Sequence, residues 1–198
     1  MTNNNNNDTN LSALRLPPYG GSPMLITSEY VSGRGERPLF GSLVRLFVFL
    51  SRIRHCAGFG VQSPTDYAFV REVIYERWPY ATYTELEARF MDADKFLLKL
   101  SQLLLRVSNY AQASTIGIIG DLPPIMEAHL KAGCRKSEIQ HIEADDKATY
   151  PLVITTDLNG QWQEYTSRDH IISYDLHYLG IAFHDEKRYT EGHIINFY

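Results

Sequence analysis

The chain has 198 residues, 44% hydrophobic and 12% aromatic, with a net charge of −4. That supplies a packed core and suits one domain, or one domain with a tail. The charge is uneven: residues 1–60 hold six Lys and Arg against three Asp and Glu, and residues 115–198 hold seven against thirteen. Phosphate binding needs basic side chains, so the acidic second half argues against a nucleic-acid surface there.

Cys56 and Cys134 stand far apart in no CxxC pair. That excludes a disulfide framework and a zinc knuckle, and it fits two buried free thiols in a reducing compartment. The polar start, MTNNNNNDTN, is no secretory signal. No run approaches the roughly 18–20 apolar residues that span a bilayer. The expectation is a soluble, cytoplasmic protein with no membrane and no nucleic-acid partner.

Residues 1–38 read as a disordered tail, with an Asn run, PPYGGSP and SGRGERP around one extended piece, MLITSEYV. Residues 42–54, SLVRLFVFLSRIR, form the first firm element, a helix capped by Ser42. Apolar residues crowd almost every side of it, so it is expected to be buried on most faces. A basic amphipathic helix on a membrane surface is the lesser reading, because its polar face is narrow. Gly58 and Gly60 mark a turn. Ser63 and Pro64 then start a helix, with Asp66 three after the cap and Val70, Val73 and Ile74 as its buried stripe to Trp78.

Residues 84–109 read as the longest helix, capped by Thr84. Leu86, Phe90, Ala93, Leu97, Leu100, Leu104 and Val107 give it one apolar face. From Thr115 the period changes. Thr115–Ile119 is a strand, and 124–132 is a helix ended by Gly133 in the position a helix terminator takes. Residues 138–145, 151–158, 169–185 with a bend near Gly180, and 192–198 are further strands, the last in an antiparallel pair. The pattern predicts an α/β fold: a shortened three-layer sheet (115–198) with an antiparallel C-terminal strand pair, under an N-terminal helical region (39–114) that caps it.

The segments GFGVQSPTDYAFVREVI, LLKLSQLLLRVSNYAQASTIGIIGD, DLHYLGIAF and HIINFY, in that order, resemble a class I S-adenosylmethionine-dependent methyltransferase-like family of Bacteroides-type bacteria. The resemblance covers most of the chain from about residue 55, with Gln62 where the family tends to have histidine. It implies a Rossmann-like sheet and S-adenosylmethionine as cofactor. In class I methyltransferases the first strand ends in acid–x–Gly–x–Gly–x–Gly. On this chain those positions fall at Ile118, Gly120, Leu122 and Pro124, so one of four survives. Leu122 is expected to fill ligand space, and Pro123 and Pro124 to remove two N–H donors.

The cofactor-binding positions implied are Gly120 and Asp121 in the loop, Glu143 as the acid that receives the ribose hydroxyls, and Asp157 at the end of the third strand. Glu143 also reads as a surface acid in an acidic turn, and Asp157 as a strand-end turn former. Only five residues, Asp146–Tyr150, separate the second and third strands, too few for the segment that supplies the adenine pocket.

No metal site is expected: the histidines match no HExxH pattern, although Asp175 and His177 could share a strand face. No catalytic residue stands out. Cys56, in a turn after basic residues, lacks a partner motif, and Gly58–Gly60 is no phosphate loop. These readings predict a degenerate methyltransferase-like protein that has lost catalysis and cofactor. It would act as a binding or dimerisation module, with a homodimer or a protein partner through its aromatic sheet end and amphipathic helices. The alternatives are a small active methyltransferase using Gly120 and Glu143, and a nucleotide-binding module keeping only the ribose contact.

Overall fold

The computed structural model describes residues 38–197; the expected tail, with its extended piece, lies outside them except for Pro38. The described residues form six α-helices and a mixed six-stranded sheet. Helix α1 spans Pro38–Ser51, starting earlier than the Ser42 cap suggested, and a 3-10 segment, Ile53–Gly58, follows it. Helix α2, Pro64–Phe69, starts as expected: Ser63 Oγ accepts from the Asp66 N–H (3.4 Å), and Pro64 takes the first position. It then widens into a π-helical turn, Val70–Ile74, which ends it short of Trp78.

The long helix expected from Thr84 is two helices, α3 (Ala81–Glu87) and α4 (Lys95–Ala111). The break has a local cause. Asp94 Oδ2 accepts from the Phe96 N–H (2.9 Å) and so caps α4 afresh. The expected apolar stripe therefore divides. Leu86 joins Tyr83 and Leu105 in a small cluster, while Leu100, Leu103, Leu104 and Val107 enter the main core. Each such burial contributes about 1.5–3 kcal/mol.

The sheet half runs β1 (Thr115–Ile119), α5 (Pro124–Gly133), β2 (Glu138–Ile142), β3 (Leu152–Thr155), α6 (Gly160–Thr166), β4 (Ile171–Asp175), β5 (Gly180–His184) and β6 (Glu191–Ile194). The strand order is β2-β1-β3-β5-β4-β6. β1 pairs in parallel with β2 and β3, β5 is antiparallel to both β3 and β4, and β6 is parallel to β4.

Two expectations are corrected here. The 169–185 strand is a hairpin, because the Leu176 N–H bonds the Leu179 carbonyl (2.9 Å) and His177 takes a left-handed conformation. The antiparallel pairs are β3–β5 and β4–β5; the last strand runs parallel to β4 and stops at Ile194. There the Ile195 N–H still bonds Asp175, but the Asn196 N–H turns away to the His55 carbonyl.

Strand alternation sorts the core. Ile116 and Ile118, Leu152 and Ile154, and Ile172 and Tyr174 face the layer of α2, α4 and α5. Ile119, Val153, Ile171 and Ala182 face Trp162 and Tyr165 of α6. The helices expected to cap the sheet thus supply much of one covering layer. Helices on both faces, and strand order that reverses between β1 and β3, are compatible with a Rossmann-like fold.

Candidate functional site

The reversal places a crevice outside the carboxyl ends of β1 and β3, where open α/β sheets bind ligands. The register carries all four of the sequence-predicted residues to that edge. Ile119 pairs with Ile142 and with Thr155, so the next residues, Gly120, Glu143 and Thr156, end neighbouring strands, with Asp121 and Asp157 one residue beyond. Gly120 has φ +78°, a left-handed turn that favours glycine, and nothing lies within 4 Å of where a Cβ would stand.

The crevice is strapped. Thr155 Oγ1 donates to the Ile119 carbonyl (2.9 Å), and Thr156 Oγ1 to the Asp121 carbonyl (3.0 Å). Two hydroxyls from the end of β3 thus tie down the loop leaving β1. Asp157 is engaged in its own turn, accepting from Asn159 Nδ2 at 2.6 Å and the Asn159 N–H at 3.3 Å. Glu143 is exposed, and its carbonyl accepts from the Asp146 N–H.

Leu122 corrects the steric expectation. Its side chain is buried in the main core with Ile125 and Met126, so it does not fill the mouth of the sheet. What the loop lacks is backbone donors. Pro123 and Pro124 offer no N–H, and those of Met126 and Glu127 bond the Pro123 carbonyl. The start of α5 has little left to give an anion. Comparison with protein-family models, curated proteins and solved structures finds no match.

Among the described residues a heavily bonded polar cluster lies elsewhere, and no motif marks it. The Asp66 carboxylate is 1% exposed. It accepts from Arg188 Nη1 (2.7 Å), from Arg188 Nη2, and from the Tyr174 hydroxyl (2.8 Å), and it lies 3.1 Å from His193 Nε2. Burial alone would raise its pKa; the bonds from Arg188, Tyr174 and His193 hold it well below the usual carboxylate range. Burial, and then the bond to Asp66, pushes the Tyr174 phenol up. Asp66, Glu191 and His193 place one ligand atom each within 4.8 Å of one another. The Arg188 guanidinium already supplies the positive charge there, so the cluster acts as a clasp joining α2, β4, β6 and the turn before β6.

Asp175 and His177 form no ligand pair: Asp175 Oδ1 accepts from the His177 backbone N–H (2.7 Å) in the hairpin turn. Of the two free cysteines, Cys134 is buried and Cys56 half-buried.

Helix α1 overturns the expectation of a helix buried on most faces. Leu43, Leu46, Phe47 and Leu50, at helical spacing, are each more than half exposed, and Phe47 reaches 74%. Ile53 and Phe59 extend the apolar surface. Arg45, and Arg52 just past its end, turn the other way. Arg52 forks onto the Asp175 carboxylate (2.9 and 3.1 Å), and Arg45 reaches Asp94 (3.4 Å). The charged side holds the helix to the body and leaves the apolar side in solvent.

Proposed function

We propose that this chain is a degenerate, non-catalytic member of the S-adenosylmethionine-dependent methyltransferase-like class, with a shortened Rossmann-like core, that works as a self-associating binding module. The observation that carries the reading is the outward stripe Leu43, Leu46, Phe47 and Leu50. An exposed apolar surface of this kind marks an interaction site. A second copy suits it: Arg45 and Arg52 are held by Asp94 and Asp175, the stripe residues carry no charge, and a two-fold axis would bring the same stripe of two copies together. The strapped crevice, the single loop glycine and the missing N–H groups at Pro123 and Pro124 support loss of the methyl donor.

Two measurements test this. In sedimentation velocity the full chain is expected to run as a dimer and the Leu46→Glu/Phe47→Glu double variant as a folded monomer. A wild-type monomer at all concentrations sinks the self-association. In calorimetric titration with S-adenosylmethionine and S-adenosylhomocysteine, no binding tighter than about 100 μM, roughly 5.5 kcal/mol, is expected. The second reading, a small active methyltransferase, is favoured by the open space over Gly120. Tight donor binding that Glu143→Ala abolishes would select it.

A further inference from the structure

Helix α5 buries a histidine on the side of α3 and α4. His129 is 0% exposed, and its Nδ1 lies 2.8 Å from the Ile125 carbonyl, one turn back. A carbonyl oxygen only accepts, so Nδ1 carries the proton of the neutral ring and Nε2 carries the lone pair. Nε2 is buried with no hydrogen-bond partner among the described residues. Buried polar atoms are nearly always bonded, and an orphan calls for a physical reason. A second orphan belongs to the same helix pair. The Ser108 hydroxyl of α4, on the turn that faces Gly133 of α5, is also buried and unbonded, so neither orphan satisfies the other.

The charged and titratable groups around the ring are few. From α3 come Tyr83, whose ring centre is 6.5 Å from that of His129, and Glu87, whose carboxylate accepts from Gln102 Nε2 (2.6 Å). From α4 comes Arg106, which donates to the Tyr83 hydroxyl (3.0 Å). On α5 itself Glu127 turns to His141 (3.6 Å) and Lys131 to the Ser137 carbonyl. β1, which shares the main core with α5, has no titratable side chain, and Glu138 and His141 of β2 are exposed. Burial holds the imidazole below its ordinary range, against the opposing pull of the Ile125 carbonyl and of Glu87.

A proton added at Nε2 therefore finds no acceptor, and it places a charge in a contact that excludes water. Water has to reach the ring before that charge is tolerated. The covering on the α3 side is slight. α3 is seven residues long, and its Tyr83 and Leu86 form with Leu105 a small cluster apart from the main core, with Ala128 and Ala132 of α5 packed against it. Elements held by so few apolar contacts open locally before the rest of a fold.

We infer that His129 is a proton-operated latch: a proton taken up at Nε2 parts α5 from α3 and admits water to the contact while the sheet stays folded. The neutral ring favours the closed form, which is fully populated above the ordinary histidine value of about 6.5 and is lost as pH falls from there through the lower value of the closed protein. The latch stands apart from the α1 surface, from the methyl-donor crevice and from the Asp66 clasp, whose carboxylate titrates at lower pH.

Amide hydrogen exchange read by NMR on the full-length protein tests this, with the amides of α3 compared with those of β1 at about pH 7.5 and about pH 5.5 and corrected for intrinsic exchange. In wild type the opening constant of α3 is expected to rise severalfold, to a limit of about tenfold for one histidine that titrates normally once open. β1 should not follow. In His129→Leu the rise in α3 should vanish, and because the other histidines titrate alike in both proteins the difference belongs to His129. Titration of the His129 ring signals in wild type needs no variant: the ring should stay neutral at about pH 6 and gain charge only as α3 opens. Four results would overturn the latch: no rise in wild type, the same rise in His129→Leu, a rise in β1 as large as in α3, or a His129 ring that charges near pH 6.5 with α3 still protected.

Discussion

Asp66→Ala is expected to destabilise the protein by about 3–5 kcal/mol, the range for removing one partner of a buried ion pair. Against a total of about 5–15 kcal/mol, that is enough to unfold much of the chain at moderate temperature. The variant leaves the Tyr174 hydroxyl, His193 and the inner face of the Arg188 guanidinium without their shared acceptor. Arg188 is a quarter exposed and can turn to water, whereas Tyr174 and His193 are buried. Most of the penalty therefore comes from these two.

The same carboxylate sets a pH dependence. Its folded pKa is depressed, so its contribution is fully present above the ordinary aspartate pKa of about 3.9, and it is lost as pH falls from there through the folded value. The gap in urea midpoint between wild type and Asp66→Ala should be constant from pH 7 to about 5 and then shrink as the pH falls further. An alanine variant within about 1 kcal/mol of wild type would mean that the clasp is replaceable by packing.

The sequence was most legible where local chemistry and tertiary demand agree. Ser63 and Pro64 start α2 as their types require, and Thr115–Ile119 is the strand that its apolar run suggested. It was least legible where a long-range partner decides. Periodicity through Phe90 and Ala93 hid the second cap at Asp94, because the turn between α3 and α4 keeps both residues packed against the core. Helix α6 escaped notice altogether. Its seven residues are mostly polar, and only Trp162 and Tyr165, three apart, mark its buried side. Helix α1 misled through composition: apolar residues all round imply burial, but the Arg52–Asp175 and Arg45–Asp94 pairs, 123 and 49 residues apart, decide which side faces in. The Asp66 clasp draws on residues up to 127 apart, and no motif spacing encodes that. At the crevice, register alone brings Gly120 and Glu143 side by side, whereas the threonine straps had no signature.

Gly133→Ala is expected to destabilise by about 3 kcal/mol, at or above the upper end for overpacking. The usual expectation has the opposite sign, because alanine within a helix is favoured over glycine by about 0.5–1 kcal/mol. The position also looked like a helix terminator, where a left-handed conformation would explain the glycine. In the structure Gly133 is the last residue of α5 and is not among the glycines with positive φ. Its role is spatial. A Cβ there would stand 2.2 Å from the Leu105 carbonyl oxygen, 2.9 Å from Ser108 Cβ and 3.0 Å from the Asn109 nitrogen. The nearest atom is α4 backbone, so no rotamer change relieves the contact, and Ser108→Gly should not rescue the variant. Helix α5 must shift instead, and because it begins at Pro124 the shift reaches the loop at Gly120. Urea unfolding decides the matter: equal or greater stability in Gly133→Ala would mean that α4 and α5 can separate without cost, and that the glycine was chosen for the helix end after all.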